Sequence, residues 1–401
     1  MDVYDRGAME PTELASWLLA PATRALDDGA LLDGLAQQLI ARGVGLWRVV
    51  TSVHTKHPEV YVRNVHWSPE SGSVVQFRPR DVLELPMFRD SPVAAIYGGA
   101  PRIRCRLVGV DADLRYPVCR DLADAGATDY VALPLPFGDG QRSYISFATK
   151  QPGGFSDADL AVFQTAVDPM AMHLELRTAQ YTTRSLLDVY LGHNAAERVL
   201  AGAFRRGTGV SIRAAIWFCD MRGFTTMADR AQPAEVVATL DRFFEAIAGP
   251  IALHGGEVLK FIGDAVLAIF PVEQSDPSTV CQRALDAASA AMRGIAALNA
   301  ERLGAVPLEL GIALQLGDVM YGNIGARDRL DFTVIGAAVN EVCRVEALCK
   351  SLGTSVLATS VFADACPEAP WVRLGKHALK GVSEPQDIAT LREFTAAETR
   401  T

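Results

Sequence analysis

The stretch Phe218-Cys219-Asp220-Met221-Arg222-Gly223-Phe224-Thr225 brings an apolar run to a carboxylate and a glycine, and Lys260-Phe261-Ile262-Gly263-Asp264 repeats the pattern further on. An aspartate at a strand end is ordinarily a turn former. Two of them, each beside a glycine that frees the backbone, suit a site where carboxylates hold Mg²⁺ against a polyphosphate, because hard cations take oxygen ligands. Both are expected on turns, since neighbouring residues of a strand interior face opposite ways. Lys260 offers a hydrogen-bond donor. Asp331, opening Asp331-Phe332-Thr333-Val334-Ile335-Gly336, offers an acceptor. That block runs into a helix expected over 337–351, where Asn340 and Arg344 stand four apart on one face. An exposed helix face is the plain alternative for that pair.

In combination these blocks resemble the catalytic domain of class III nucleotidyl cyclases, over about residues 210 to 395. The resemblance implies an adenylate cyclase that converts ATP to 3′,5′-cyclic AMP and pyrophosphate. It implies two Mg²⁺ or Mn²⁺ ions per site, held by Asp220, Asp264 and the carbonyl of Met221. Lys260 and Asp331 would select adenine, since guanine readers of the family carry Glu and Cys there. Backbone amides near Phe224 and Thr225 would cradle the triphosphate, and Lys380, in Leu379-Lys380-Gly381-Val382, would contact phosphate. Asn340 would orient the ribose, and Arg344 would neutralise charge in the transition state. The family builds its sites across a homodimer, with metal ligands from one chain and base-selecting and transition-state residues from the other. A guanylate cyclase and a catalytically silent signalling module are the alternatives. The chain departs from the family in Ala337, where an Asp is usual and a weaker helix cap of about 1 kcal/mol follows, and in Val345, where Leu is usual.

The remainder of the 401 residues bounds this reading. The length suits two domains, and an apolar fraction of 49% supports full cores. A net charge of −9 disfavours a nucleic-acid binder. Seven cysteines without a Cys-x-x-Cys pair point to reduced thiols. No apolar run approaches the ~18 residues of a membrane span, and the polar stretch Met1 to Glu10 does not read as a signal peptide. A cytoplasmic protein is expected. No phosphate-binding Gly-x₄-Gly-Lys loop is present. His254-Gly255-Gly256-Glu257 only faintly follows a diguanylate cyclase hairpin, and His54, His57 and His66 lack the partners of a metal cluster.

The expected fold class is α/β (α+β): a regulatory domain over 1–156, a helical connector over 157–209 and the catalytic α/β sandwich, with a largely antiparallel sheet, over 210–395. Residues 13–42 read as helices broken at Pro21 and Gly29, and 46–64 as a strand pair, followed by Pro- and Gly-rich connections through Pro101. Strands at 131–135 and 143–148 flank the turn Gly138-Asp139-Gly140. Ser156 is a candidate N-cap with Asp159 at the third helical position. This order resembles the C-terminal half of a GAF-type sensory domain over about residues 128 to 177. An unrelated α+β domain that packs and dimerises is the alternative. The resemblance implies an unidentified small-molecule or protein signal. The connector carries an apolar stripe interrupted at Pro169 and Gly192, suited to pairing with its twin or to packing on its own domain. Gly207-Thr208-Gly209 is expected to form a flexible entry to the catalytic part.

Overall fold

A computed structural model of the protein describes residues 11–55, 60–79, 86–140, 142–203, 205, 207–272, 275–301 and 306–395. His57 therefore lies outside the described residues. The chain divides into two units, Met1–Leu186 and Leu187–Thr401.

In the first unit, α1 (Pro11–Leu19), α2 (Pro21–Arg24) and α3 (Asp28–Ala41) precede β1 (Arg48–His54), β2 (Val62–Ser68) and β3 (Gly72–Arg78). Then come α4 (Pro86–Arg89), α5 (Pro92–Tyr97), β4 (Ile103–Arg106), α6 (Pro117–Asp124), the hairpin β5 (Asp129–Pro136) and β6 (Arg142–Thr149), and the long α7 (Asp157–Leu191). The helical stretch breaks at Pro21 as expected. Its second break falls at Asp27, whose carboxylate caps the Ala30 amide at 2.8 Å, so Gly29 lies inside the first turn of α3. β3 and α5 occupy a segment expected to be connections.

The six strands form an antiparallel sheet in the order β3-β2-β1-β6-β5-β4. Strand alternation sends Val49, Val65, Leu133 and Phe147 to one face, against Leu18, Leu35, Phe163 and Met170 of α1, α3 and α7. Tyr130, Ala132, Tyr144 and Ala148 point to the opposite face, under Ile96, Cys119 and Leu122 of α5 and α6. α7 begins with the expected capping box: the Ser156 hydroxyl accepts from the Asp159 amide at 3.1 Å, and the Asp159 carboxylate accepts from the Ser156 amide at 2.7 Å. Pro169 does not interrupt α7. It is buried among Val167, Met170 and Ala171, and that packing holds the helix through the missing hydrogen bond. The first half of the apolar stripe is thus core of this unit. Gly192, at φ +83°, ends the helix as expected.

After the end of α7, the second unit continues with α8 (His193–Leu200), β7 (Gly209–Arg222), α9 (Phe224–Ala228) and α10 (Pro233–Leu253). A hairpin of β8 (Glu257–Ile262) and β9 (Ala265–Pro271) leads to α11 (Pro277–Glu301), β10 (Glu309–Gly325) and β11 (Leu330–Ile335). The chain continues through α12 (Ala337–Leu352), β12 (Val356–Thr359), α13 (Ser360–Ala365), β13 (Trp371–His377) and β14 (Gln386–Leu391). The eight strands run β13-β14-β12-β10-β7-β9-β8, with β11 pairing on β10. β10 and β12 are parallel; the other described pairs are antiparallel.

On β7, Ala215, Trp217, Cys219 and Met221 face a core made with α10 and α11. Ala214 and Ile216 face the core under α12, and by the same alternation Asp220 belongs to the α12 side. The Gly207-Thr208-Gly209 segment is not a free entry: its backbone exchanges hydrogen bonds with Asn323 on β10. α8 docks on this unit through Asn194, which donates to the buried Glu257 at 3.1 Å. Glu257 also accepts from the Tyr321 hydroxyl at 2.9 Å. Among the described residues, no helix is long and apolar enough to cross a membrane, and all seven cysteines are free thiols.

Candidate active site

Asp220 is not on a turn. It lies inside β7, paired with Ala265 on one side and Gly311 on the other, and the turn begins only at Gly223, φ +73°. Asp264 is on a turn, between β8 and β9, beside Gly263 at φ +64°. The expectation that both need turns fails because the two carboxylates come from adjacent strands. The ladder that sets Ala265 opposite Asp220 brings the hairpin tip beside it. Burial, followed by the charge of the neighbouring Asp264, pushes the Asp220 carboxyl up to about 6.

Asp220 Oδ1 is buried without a hydrogen-bond partner. The Met221 side chain sits in the core. Among the described residues no group of three or more His, Cys, Asp or Glu gathers as a metal cage. Two crowded carboxylates with an unpartnered buried oxygen fit a hard divalent cation that completes its shell with backbone carbonyl, water and substrate phosphate, as Mg²⁺ does. Phe224 and Thr225 form the first turn of α9 directly after this strand, so their amides open toward the same end of the sheet.

Lys260 and Asp331 are brought together. Lys260 Nζ on β8 donates to Asp331 Oδ2 on β11 at 2.7 Å, across 71 residues of sequence, and this contact holds the Asp331 carboxyl below the usual range. Their side chains are 30% and 45% exposed, so a ligand can reach both. Asn340 and Arg344 lie one turn apart on α12, Asn340 exposed and Arg344 half-buried. The Arg344 guanidinium lies over Gly381, within 3.6 Å of where a Cβ would stand, and Gly381 turns at φ +73°. Glycine there lets the cation rest on the turn that also carries Lys380. Among the described residues no hydrogen bond or ion pair joins the Asp220–Asp264 pair to Lys260, Asp331, Asn340 or Arg344. α12 begins at Ala337, and its N-cap residue is Gly336, which has no side chain to cap it.

Sequence reasoning missed Glu346. It lies on the sheet side of α12, where burial and the charges of Asp220 and Asp264 push its carboxyl up to about 7, against the opposing effect of Arg222. A Cβ on Gly311, the residue opposite Asp220, would collide with the Glu346 carboxylate. Arg222 donates to the Thr354 carbonyl at 2.5 Å. Gly311, a glycine early in β10, was the available signal, since a strand glycine marks close approach.

A sheet flanked by helices on both faces, with one carboxylate on β7 beside another at the β8–β9 turn and a Lys–Asp pair joining β8 to β11, defines a nucleotide-handling α/β domain. Residues 211–387 match the family of the adenylate and guanylate cyclase catalytic domain, and this segment belongs to it. An adenylate cyclase of Anabaena cylindrica is 35% identical over 191 residues, which cover 46% of this chain and 37% of that protein. Adenylate cyclase 1 of Rhizobium meliloti is 33% identical over 174 residues, covering 43% of this chain and 26% of that protein. Among solved structures, a bacterial light-regulated adenylyl cyclase is 30% identical with a TM-score of 0.39, covering 47% of this chain and 93% of that one. The chain spans between about a quarter and two fifths of the length of the curated relatives it matches.

Proposed function

We propose that the protein is an adenylate cyclase that forms 3′,5′-cyclic AMP and pyrophosphate from ATP. The observation that carries this reading is the Lys260–Asp331 pair, a donor and an acceptor held 2.7 Å apart and open to a ligand. That pattern complements the N1 and N6 edge of adenine, and it opposes guanine, whose edge reverses the donor and the acceptor.

Asp220, Asp264 and the Met221 carbonyl would hold Mg²⁺ or Mn²⁺, two per site, and the bound ions would supply charge neutralisation at the phosphates and activation of the ribose 3′-hydroxyl. Asn340 orients the ribose. Arg344 and Lys380, neighbours through Gly381, offset charge on the phosphate oxygens; an aimed donor of this kind is worth about 3–4 kcal/mol in the transition state. The first-turn amides at Phe224 and Thr225 receive the triphosphate. By the family resemblance the site is shared across a homodimer, with metal ligands and transition-state residues from opposite chains. In this reading residues 210–395 catalyse, the N-terminal unit regulates, and the protein acts in the cytoplasm.

Incubation of the purified chain with Mn²⁺ and either ATP or GTP, followed by identification of the cyclic product, tests the reading. Cyclic AMP from ATP is expected. Cyclic GMP as the main product would make it a guanylate cyclase, and no product from either would leave a silent signalling module.

A further inference from the structure

The face of the first unit's sheet that lies under α5 and α6 is not uniformly apolar. Strand alternation places Arg48 of β1, His66 of β2, Tyr130 of β5 and Ser146 of β6 on it, around a cavity of about 60 Å³. Tyr130 and Ser146 are 5% and 4% exposed. At roughly 10–15 Å³ per water-sized position, that space accommodates about four to six non-hydrogen atoms.

Two of the polar groups around it lack a complement. Arg48 Nη2 donates to His66 Nδ1 at 3.3 Å, which leaves the ring proton on Nε2. Burial, then the charges of Arg48 and Arg78, lower the His66 pKa to about 4, so the ring is neutral. Its Nε2–H is buried and has no acceptor. Burial raises the Tyr130 pKa, so its hydroxyl stays protonated beside that of Ser146. Arg48 is half-buried and has no ion-pair partner among the described residues. Among the described residues no Asp or Glu lines the cavity; Glu70, which is exposed, lines only the outer groove that Arg48 and His66 share with it. A guanidinium without a counter-ion and a buried donor without an acceptor call for an anion.

We propose that this cavity binds a short monocarboxylate. Its carboxylate meets Arg48, the His66 Nε2–H and the Tyr130 and Ser146 hydroxyls, and its alkyl end lies on Val50, Val118 and Leu122. A planar guanidinium pairs a carboxylate through two parallel hydrogen bonds. With one cation and a neutral imidazole, one negative charge is compensated, and a phosphate dianion would bring a second charge that nothing in the cavity neutralises.

The test is isothermal titration of the full chain with sodium propionate, propionamide and sodium phosphate at matched ionic strength, with circular dichroism to verify the fold of each variant. Saturable 1:1 binding of propionate is expected, with no binding of the uncharged amide. Arg48→Gln and His66→Leu should each weaken propionate by about tenfold or more. His66→Gln, whose side-chain amide restores a donor near the Nε2 position, should stay within about threefold of wild type. Should Arg48→Gln fail to fold, the His66→Leu and His66→Gln pair decides. Absence of propionate binding, equal binding of propionamide, preference for phosphate, or undiminished affinity in the folded variants would each overturn the proposal.

Discussion

Replacing Asp220 by Asn removes one of two carboxylates that crowd each other, and without metal the variant should be more stable than the wild type. In the unfolded chain the Asp220 carboxyl titrates near 3.8, and in the native unit near 6. Below about pH 4 both forms are protonated and the residue carries no penalty. Between about pH 4 and 6 the unfolded chain gives up its proton and the native unit keeps it, so stability falls as pH rises and stays lowered above. A rise of this size is worth about 3 kcal/mol at full burial, and solvent screening at this partly exposed site reduces it to about 1–2 kcal/mol. For a unit of this length that is a Tm higher by about 2–8 °C in Asp220→Asn. Calorimetry in EDTA near pH 8 should show the gain, and the same scan near pH 4 should show almost none. Mn²⁺ should raise the Tm of the wild type and leave the variant nearly unmoved, while cyclase activity is lost. An Asp220→Asn protein that melts below the wild type in EDTA, or that gains as much from Mn²⁺, would refute the paired-carboxylate argument.

Lys260→Glu with Asp331→Cys reverses the hydrogen-bond pattern offered to the base, so ATP turnover should fall and GTP use rise relative to it, each mismatched edge costing about 1–3 kcal/mol; product chromatography with both nucleotides reads the change, and unaltered preference for ATP would remove these residues from base selection. Asp220→Ala and Arg344→Ala should each be nearly inactive as homodimers. Co-expressed with separate tags, they should recover about a quarter of wild-type activity, since about half of the dimers are mixed and each has one intact site of two; confirmed mixed dimers no more active than either parent would mean that each chain builds its own site. Gly311→Ala should cost about 1–3 kcal/mol in a urea titration, because the new Cβ meets the Glu346 carboxylate. Gly311→Ala with Glu346→Ala should recover most of that loss, and an uncorrected double variant would show that the strain lies elsewhere.

Much of the architecture was written locally. The strands of the β5–β6 hairpin, the Ser156–Asp159 cap of α7, the break at Pro21 and the spacing of Asn340 and Arg344 depend on residues a few positions apart, and a linear reading recovers such relations. Side-chain chemistry likewise nominated Asp220, Asp264, Lys260 and Asp331 before any fold was known. Where local signals misled, a longer-range term had overridden them: the core around Pro169 carries α7 through a residue that would break an isolated helix, and Asn323 on β10 pins a Gly-Thr-Gly segment that reads as loose. The tertiary structure alone decided which residues meet. Strand register set Asp264 against Asp220, strand packing closed Lys260 on Asp331, and the helix placed over Gly311 brought Glu346 toward the carboxylates. It alone decided that Arg48 and His66 look into a cavity that no acid among the described residues lines. A carboxylate's proton affinity and a donor's lack of an acceptor arise from burial and from neighbours distant in the chain, and those quantities exist only once the sheets have closed.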